Sequence, residues 1–161
     1  MCYIFKSLKA NRLLHPGDTI ALGTPIFTPY LEMTHLEDYD LKTVEIKAPQ
    51  ENCFQYTDAE IKKLEDPNIK AFFIVNPGNP TGMGMSKETI AKITTLVKTK
   101  RPDLMLLTDD VYGTFVDDFR SLLGELPPRI PSGSIHTRSI LAVPGGGSVS
   151  SPFTKITSLT R

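Results

Sequence analysis

The sequence predicts an α/β protein with a mostly parallel sheet and helices on both faces. Two short, uninterrupted apolar runs, Ala71–Val75 and Leu104–Leu107, have the composition of strands that are covered on both sides. Residues 86–100, between these runs, place apolar side chains at helical spacing. The three segments therefore form a strand-helix-strand unit, whose right-handed crossover makes the two strands parallel.

The length and composition of the chain indicate one globular domain. The 161 residues are enough for one sizeable core. Lys plus Arg and Asp plus Glu both number 18, so we expect neither nucleic acid nor an anionic membrane as a partner. No apolar run approaches the length of a membrane span, and the first residues do not resemble a signal peptide. We therefore expect a cytoplasmic protein.

The cysteines and histidines do not form a metal-binding pattern. Cys2 and Cys53 are far apart, and His15, His35 and His136 do not cluster with them. We expect free thiols and no metal ion. A small molecule or a protein is the expected kind of partner.

The first half of the chain alternates predicted helices and strands. Tyr3–Leu14 has the apolar spacing of a helix, and Asp18–Gly23 is typical of a short strand. A second short helix is predicted at Tyr30–Leu36. Residues 42–47, KTVEIK, alternate polar and apolar side chains, which predicts a strand with one solvent-exposed face.

Two helices of the second half carry N-capping signals. Thr57 and Glu60 have the spacing of a capping box, so a helix is expected from about residue 58 to residue 64. Ser86 can cap the helix between the two buried strands. That helix should end near Lys100, because Pro102 follows.

A polar segment follows each buried strand, and the two segments define the candidate site. The first is NPGNPTG at 76–82, whose prolines fix φ and whose glycines supply conformations that other residues resist, so that the stiff, specifically shaped loop can hold Asn79 against a ligand. The alternative is an ordinary connection in which Asn and Thr satisfy local backbone groups. Both polar segments follow parallel strands, so both lie at the carboxyl edge of the sheet. Ligands of parallel sheets bind beyond this edge.

The second segment begins at Asp109. An ionised carboxylate beside an apolar strand needs a cation or several hydrogen-bond donors. A helix cap or a turn carboxylate is the alternative, and we adopt that interpretation for Asp110. Tyr112 follows three residues after Asp109, so both side chains can reach one flat ligand, although core tyrosines are commoner.

The order and separation of the two segments resemble the class I and II aminotransferases, which are fold-type-I pyridoxal-phosphate enzymes. The resemblance rests on NPGNPTG at 76–82 and DDVY at 109–112, and it extends over residues 1–126. It implies that these residues form part of the large, cofactor-binding domain of that fold.

The resemblance implies a role for each candidate side chain. Asn79 and Tyr112 would donate to the phenolic oxygen of pyridoxal 5'-phosphate, and Asp109 would pair with its protonated pyridine nitrogen. That charge makes the ring an electron sink. Phe27, within PIFTPY at 25–30, would stack on the pyridine ring, with a core phenylalanine as the alternative.

Two longer stretches resemble the aspartate 4-decarboxylase branch of the family, whose members are also aspartate aminotransferases. They are GDTIALGTPIFTPYLE and LLTDDVYGTFVDDFRSL. The branch implies chemistry on amino acids through an aldimine and a quinonoid. The implied partners are a small-molecule amino acid, a 2-oxo acid and, in the intact family, further subunits of a homo-oligomer.

Residues that the family needs for catalysis are not recognisable in this chain. The Schiff-base lysine should lie in a Ser-x-Ser-Lys type segment, but Lys155 is the only lysine after Lys100, and its context FTKITS differs. The substrate-binding arginine and the phosphate-binding loop are not recognisable either. We therefore expect a fragment that lacks both ends, contains no catalytic residue, is inactive and retains the cofactor poorly.

Residues 127–161 change in character and are predicted to be a disordered tail outside the family. Their Ser, Pro, Gly and Thr content is typical of a flexible linker. A shifted reading frame is a sharper hypothesis. The sequence expected here, SKYFGCTGWRLG, can be encoded so that translation from its second base gives residues 138–148.

Two alternative functions are considered beside that of an aminotransferase fragment. One is a non-catalytic fragment that associates with intact family subunits through exposed sheet edges. The other is a nucleotide-binding domain, which is disfavoured because no G-x-G-x-x-G or Walker loop follows a predicted strand.

Overall fold

A five-stranded parallel sheet forms the centre of the protein in a computed structural model, which describes residues 2–36, 38–126 and 139–142. The strands are β1 (Thr19–Thr24), β2 (Lys42–Lys47), β3 (Ile69–Val75), β4 (Met105–Asp109) and β5 (Ser139–Ala142). Their order is β2-β1-β3-β4-β5, and each neighbouring pair is parallel. The predicted parallel sheet is confirmed.

Four α-helices cover the two faces of the sheet within the described residues. They are α1 (Cys2–Ala10), α2 (Thr28–Thr34), α3 (Asp58–Lys62) and α4 (Lys87–Thr99). Successive strand residues point to opposite faces, so Phe73 packs in the core beneath α1 and α2, and Phe72 in the core beneath α3 and α4. None of these four helices is long and apolar enough to cross a membrane.

The predicted elements are present, but several of their ends differ. The helix expected over Tyr3–Leu14 ends at Ala10, because Leu13 N and Leu14 N turn back to donate to Leu8 O. The helix expected over Tyr30–Leu36 covers Thr28–Thr34. Strand β4 continues to Asp109, which pairs in register with Val75 and is therefore the last strand residue.

Both predicted N-caps form, but the capping box closes only in one direction. Ser86 Oγ accepts from Thr89 N at 3.1 Å, and Thr57 Oγ1 accepts from Glu60 N at 3.3 Å. The Glu60 carboxylate does not return to Thr57. It accepts from Lys47 N at 2.7 Å, where β2 ends, and so satisfies a backbone donor of an edge strand.

Strand β5 lies inside the segment that we predicted to be a disordered tail. Residues 139–142 pair in parallel with residues 106–109 of β4. The difference has a physical reason: an apolar run, Ser-Ile-Leu-Ala, can add to the backbone donors and acceptors along a free strand edge. The rest of the predicted tail, residues 127–138 and 143–161, lies outside the described residues.

Candidate functional site

The carboxyl edge of the sheet brings the two polar segments into contact. Val75 and Asp109 end neighbouring strands and pair in register. Directly after β3, Asn76 N donates to Asp109 O at 2.9 Å. The beginning of NPGNPTG is therefore hydrogen-bonded to the end of β4, as expected for adjacent parallel strands.

Asp109 is a buried carboxylate at this edge, with 3% of its surface exposed. Its Oδ2 accepts from Tyr30 Oη at 2.5 Å, and its Oδ1 accepts from Val111 N at 3.2 Å. These two donors meet the need of a buried carboxylate for hydrogen bonds. A carboxylate has about four acceptor positions, so Asp109 can also accept from a ligand.

Tyr30 is a site residue that the sequence interpretation missed, because it was treated only as the beginning of a helix. It lies within α2, and its ring centroid is 5.0 Å from that of Phe73 and 5.5 Å from that of Phe27. This packing holds the phenol against Asp109. The signal that could have found it is the spacing from Phe27, because residues three apart share a helix face.

Phe27 immediately precedes α2 and is 43% exposed, so the alternative of a core phenylalanine is wrong. Its ring meets Tyr30 edge to face at an interplanar angle of 84°. Through Tyr30, Phe27 belongs to the same contiguous cluster as Asp109. The exposed ring surface is available at the carboxyl edge of the sheet.

Tyr112 lies in a 3₁₀ helix, Val111–Phe115, that directly follows β4. It is 41% exposed, so the alternative of a buried core tyrosine is wrong. Its ring centroid is 6.3 Å from that of Phe115. Gly113 packs against Phe119, whose ring would lie 2.6 Å from a Cβ at that position, and this close approach fixes the turn after Tyr112.

Asn79 occupies a loop that is closed by its own backbone. Gly78 N donates to Met83 O at 2.9 Å, and Gly82 N donates to Gly78 O at 2.7 Å. Gly82 has a φ of 69°, which favours glycine. The Asn79 side chain makes no hydrogen bond with the described residues, so it does not satisfy local backbone groups, whereas Thr81 Oγ1 accepts from Met83 N.

Asp110 is neither the helix cap nor the hydrogen-bonded turn carboxylate that we predicted. It precedes the 3₁₀ helix without capping it, and both carboxylate oxygens are buried with no hydrogen-bond partner among the described residues. The neighbouring hydroxyl of Thr108 is buried and unpaired too. The correction has a physical reason: alternation along the chain places Thr108 and Asp110 on the opposite face of the sheet from Asp109, and there the Asp110 carboxylate is buried.

Burial raises the pKa of Asp110, and the nearby charge of Asp109 raises it further. The hydroxyls of Ser121 and Thr108 lie close enough to lower this pKa, but neither has the geometry of a hydrogen bond to the carboxylate. Burial is therefore the dominant effect. Folding therefore shifts the pKa of Asp110 upward.

The free energy of unfolding of the wild-type chain should fall as the pH rises and Asp110 loses its proton. We expect Asp110→Asn to abolish this pH dependence. Because the folded-state pKa lies above the unfolded value, the stabilising effect of protonated Asp110 is full below the unfolded pKa and is lost as pH rises through the folded pKa. Urea unfolding at a series of acidic to neutral pH values measures this. Asp117→Asn, at an exposed position, is the control, and identical pH profiles for Asp110→Asn and wild type would contradict the expectation.

The chemical types of the side chains at the carboxyl edge suit a flat, charged heteroaromatic ring. Asp109 supplies a buried carboxylate, Asn79 an unpaired amide, and Phe27 and Tyr112 partly exposed rings. Within the described part of the chain, no group of three His, Cys, Asp or Glu side chains could hold a metal ion.

Comparisons with known sequences identify similar proteins. A sequence profile of the family "Aminotransferase class I and II" matches residues 7–139, beyond the boundary at Leu126 to which we traced the resemblance. A bifunctional aspartate aminotransferase and L-aspartate beta-decarboxylase from Pseudomonas sp is 50% identical over 127 residues. A probable aspartate/prephenate aminotransferase from Rhizobium leguminosarum bv. phaseoli is 31% identical over 99 residues.

These matches cover much of this chain but little of the relatives. The match to the Pseudomonas protein covers 79% of this chain and 24% of that protein. The match to the Rhizobium protein covers 62% of this chain and 24% of that protein. The chain therefore spans about a quarter of the length of the curated relatives it matches.

Solved aminotransferase structures share the fold. An aspartate aminotransferase from Thermus thermophilus with maleate has a TM-score of 0.67 over 86% of this chain and 34% of that chain, at 23% identity, which shows the fold alone. An aromatic aminotransferase from Pyrococcus horikoshii OT3 has a TM-score of 0.62 and 30% identity over 74% of this chain and 31% of that chain. The predicted partial α/β fold is confirmed.

Proposed function

Because the chain belongs to the class I and II aminotransferases, whose enzymes use pyridoxal phosphate, we propose that it supplies the pyridine-binding part of such a cofactor site. The observation that carries the proposal is the buried carboxylate of Asp109. Tyr30 Oη donates to this carboxylate at 2.5 Å, and Asn76 N donates to the backbone carbonyl of Asp109, which joins Asp109 to the NPGNPTG segment. A buried carboxylate that keeps acceptor capacity suits a protonated ring nitrogen.

Each side chain of the site has its own part in the proposal. Pyridoxal phosphate, when bound, supplies a ring that withdraws electrons from the reacting carbon. Asp109 would keep the proton on the pyridine nitrogen. Asn79 and Tyr112 would donate hydrogen bonds to the phenolic oxygen, and Phe27 would cover one face of the ring and exclude water from it.

The proposed substrates are aspartate or a similar amino acid and a 2-oxo acid. The 50% identity to a relative named for aspartate transamination and β-decarboxylation supports this choice and favours both activities for the parent enzyme. We place that enzyme in the cytoplasm as a homo-oligomer. The chain alone is proposed to be inactive, because no Ser-x-Ser-Lys segment is recognisable in it.

The test is a titration of the chain with pyridoxal 5'-phosphate, followed by ligand absorbance. We expect weak, saturable binding, which Asp109→Asn reduces about tenfold because a charge-assisted hydrogen bond is lost. Asp117→Asn, an exposed position two residues beyond the 3₁₀ helix, should bind like wild type. Equal binding by both variants would remove the proposed role of Asp109.

Borohydride reduction after the same titration tests the proposed inactivity. We expect adducts scattered over several lysines at low yield, because no lysine lies in a recognisable Ser-x-Ser-Lys context. Peptide mapping measures their positions. A stoichiometric adduct at one lysine would contradict the proposal that the catalytic lysine is missing.

A second candidate function is association with intact family subunits. Phe115 is 82% exposed and Val116 is 41% exposed in the turn that follows the site, and such apolar surface favours protein contacts. Mixing the chain with a full-length relative and separating the mixture by size tests this. Failure to co-migrate would exclude a stable complex.

The reading-frame hypothesis for residues 127–161 is a separate proposal. Translating the gene in all three frames across this region tests it. A Ser-Lys and Thr-Gly-Trp-Arg-Leu-Gly segment in a shifted frame would support it. Without such a segment in any frame, the tail is a genuine part of the protein.

A further inference from the structure

We propose that Gln55 is a positioning residue for the loop that carries Asn79. Gln55 lies outside NPGNPTG, in the turn before α3, and nothing in the sequence pattern marks it. The inference rests on the proposed function only in taking Asn79 as a side chain that faces the cofactor. The contacts of Gln55 are independent of that role.

The side-chain amide of Gln55 uses its full hydrogen-bonding capacity. Its Oε1 accepts from Ser86 N at 2.8 Å and from Thr89 Oγ1 at 3.0 Å. Its Nε2 donates to Gly84 O at 3.1 Å and to Cys53 O at 3.2 Å. A glutamine amide offers two acceptor positions and two donors, so the orientation of this group is completely specified.

The backbone of Gln55 is fixed as well. Gln55 N donates to Asn52 O at 2.9 Å, and Gln55 O accepts from Asn52 Nδ2 at 2.9 Å. Tyr56, the next residue, is 8% exposed and packs edge to face on Phe72 of β3. Gln55 therefore projects from a segment anchored to the sheet, and can act as a rigid support.

Asn76 secures the other side of the same loop. It is 2% exposed, and its Oδ1 accepts from Met85 N at 2.9 Å. Gln55 holds the residues on either side of Met85, namely Gly84 and Ser86. The side chains of Gln55 and Asn76 therefore fix the C-terminal end of the loop at three consecutive residues, 84–86.

This arrangement matters because Asn79 has no support of its own. Its side chain makes no hydrogen bond with the described residues, so its position depends on the loop backbone. A loop that is ordered before a ligand arrives avoids the entropy cost of ordering on binding. Gln55 therefore contributes to cofactor binding through Asn79, without touching the cofactor.

The alternative is that Gln55 only supports the beginning of α4, where it accepts from Ser86 N and Thr89 Oγ1. Two substitutions separate these roles. Gln55→Leu removes all four hydrogen bonds. Gln55→Glu keeps the two acceptor contacts at α4, where a negative charge suits a helix N-terminus, but loses the donation to Gly84 O.

Backbone amide exchange in the 161-residue chain gives the decisive measurement. In both variants we expect Gly78 and Gly82, whose amides close the loop, to exchange about tenfold faster than in wild type. Ser86 should exchange faster only in Gln55→Leu. Phe72, in β3, reports on global folding, and Gln50→Leu, at an exposed glutamine in the same turn region, is the matched control.

The affinity for pyridoxal 5'-phosphate completes the test. We expect Gln55→Leu and Gln55→Glu to bind several-fold more weakly than Gln50→Leu. Unchanged exchange at Gly78 and Gly82, or faster exchange with unchanged affinity, would overturn the inference. If wild type does not bind the cofactor, the proposed function fails, and the exchange rates still decide whether Gln55 holds the loop.

Discussion

Arg101→Met will lower the free energy of unfolding by about 3–5 kcal/mol, because it removes the guanidinium that donates to the buried carbonyls of Leu64 and Ile69. Arg101 follows α4 and is 4% exposed. The prediction is checked by urea unfolding, in which the midpoint falls and the m-value stays the same. A loss of less than about 1 kcal/mol would contradict it.

The size of this effect follows from the contacts of the guanidinium group. It donates to Leu64 O at 2.8 Å, to Ile69 O at 2.7 Å and to Asp66 O. These three carbonyls lie between the end of α3 and the beginning of β3. One side chain therefore joins α4, the α3 connection and β3 at the amino edge of the sheet, opposite the candidate site.

The ion pair of Arg101 is the smaller part of the effect. Its partner Asp103, at 2.8 Å, has a side chain that is 53% exposed, so water screens the pair. Arg101→Lys keeps the charge but lacks the planar fork of donors, and should recover less than half of the loss. Arg120→Met, at an exposed arginine paired with Glu125, should cost below about 0.5 kcal/mol.

Gly23→Ala will destabilise the chain by about 3 kcal/mol through overpacking. Gly23 lies in β1, where a Cβ would overlap the hydroxyl oxygen of Tyr56 and lie 3.1 Å from its Cζ. Tyr56 is 8% exposed and its ring packs on Phe72 with a centroid separation of 5.9 Å, so moving it away would disturb the core. Thermal and urea unfolding measure the loss.

A double-mutant cycle tests the cause of this loss. Tyr56→Phe removes the oxygen that would clash, and should cost below about 1 kcal/mol alone, since this hydroxyl makes no hydrogen bond with the described residues. In that background, Gly23→Ala should cost about 1–2 kcal/mol less than in wild type. Gly124→Ala, where no atom lies within 4 Å of the added Cβ, is the control. Strictly additive effects would contradict the mechanism.

Local patterns in the sequence were sufficient to predict β3, α4 and β4. Their apolar runs and the Ser86 cap act over a few residues, and parallel pairing then places Asn76 and Asp109 at one edge. The contact between Tyr30 and Asp109 spans 79 positions, and that between Gln55 and Ser86 spans 31. Such contacts depend on how separate helices pack, which no local periodicity encodes.

Asp110 shows why a residue pattern alone can mislead. A carboxylate before a helical turn is a good cap in sequence, but the last strand residues keep their alternation beyond β4. That alternation places Asp110 on the same face as Thr108, where burial raises its pKa. Phe27 and Tyr112 illustrate the opposite case, because their exposure excludes the core interpretations that their residue types favour.

The in-register pairing of Val75 with Asp109 also limits how the gene can change in length. Deleting one codon within β4 would exchange its two faces, and Thr108 or Asp110 would then occupy the position of Asp109. Insertions in the loop between α4 and β4 leave the alternation intact. Length variation among descendants of this sequence should therefore concentrate in its connections and avoid the two central strands.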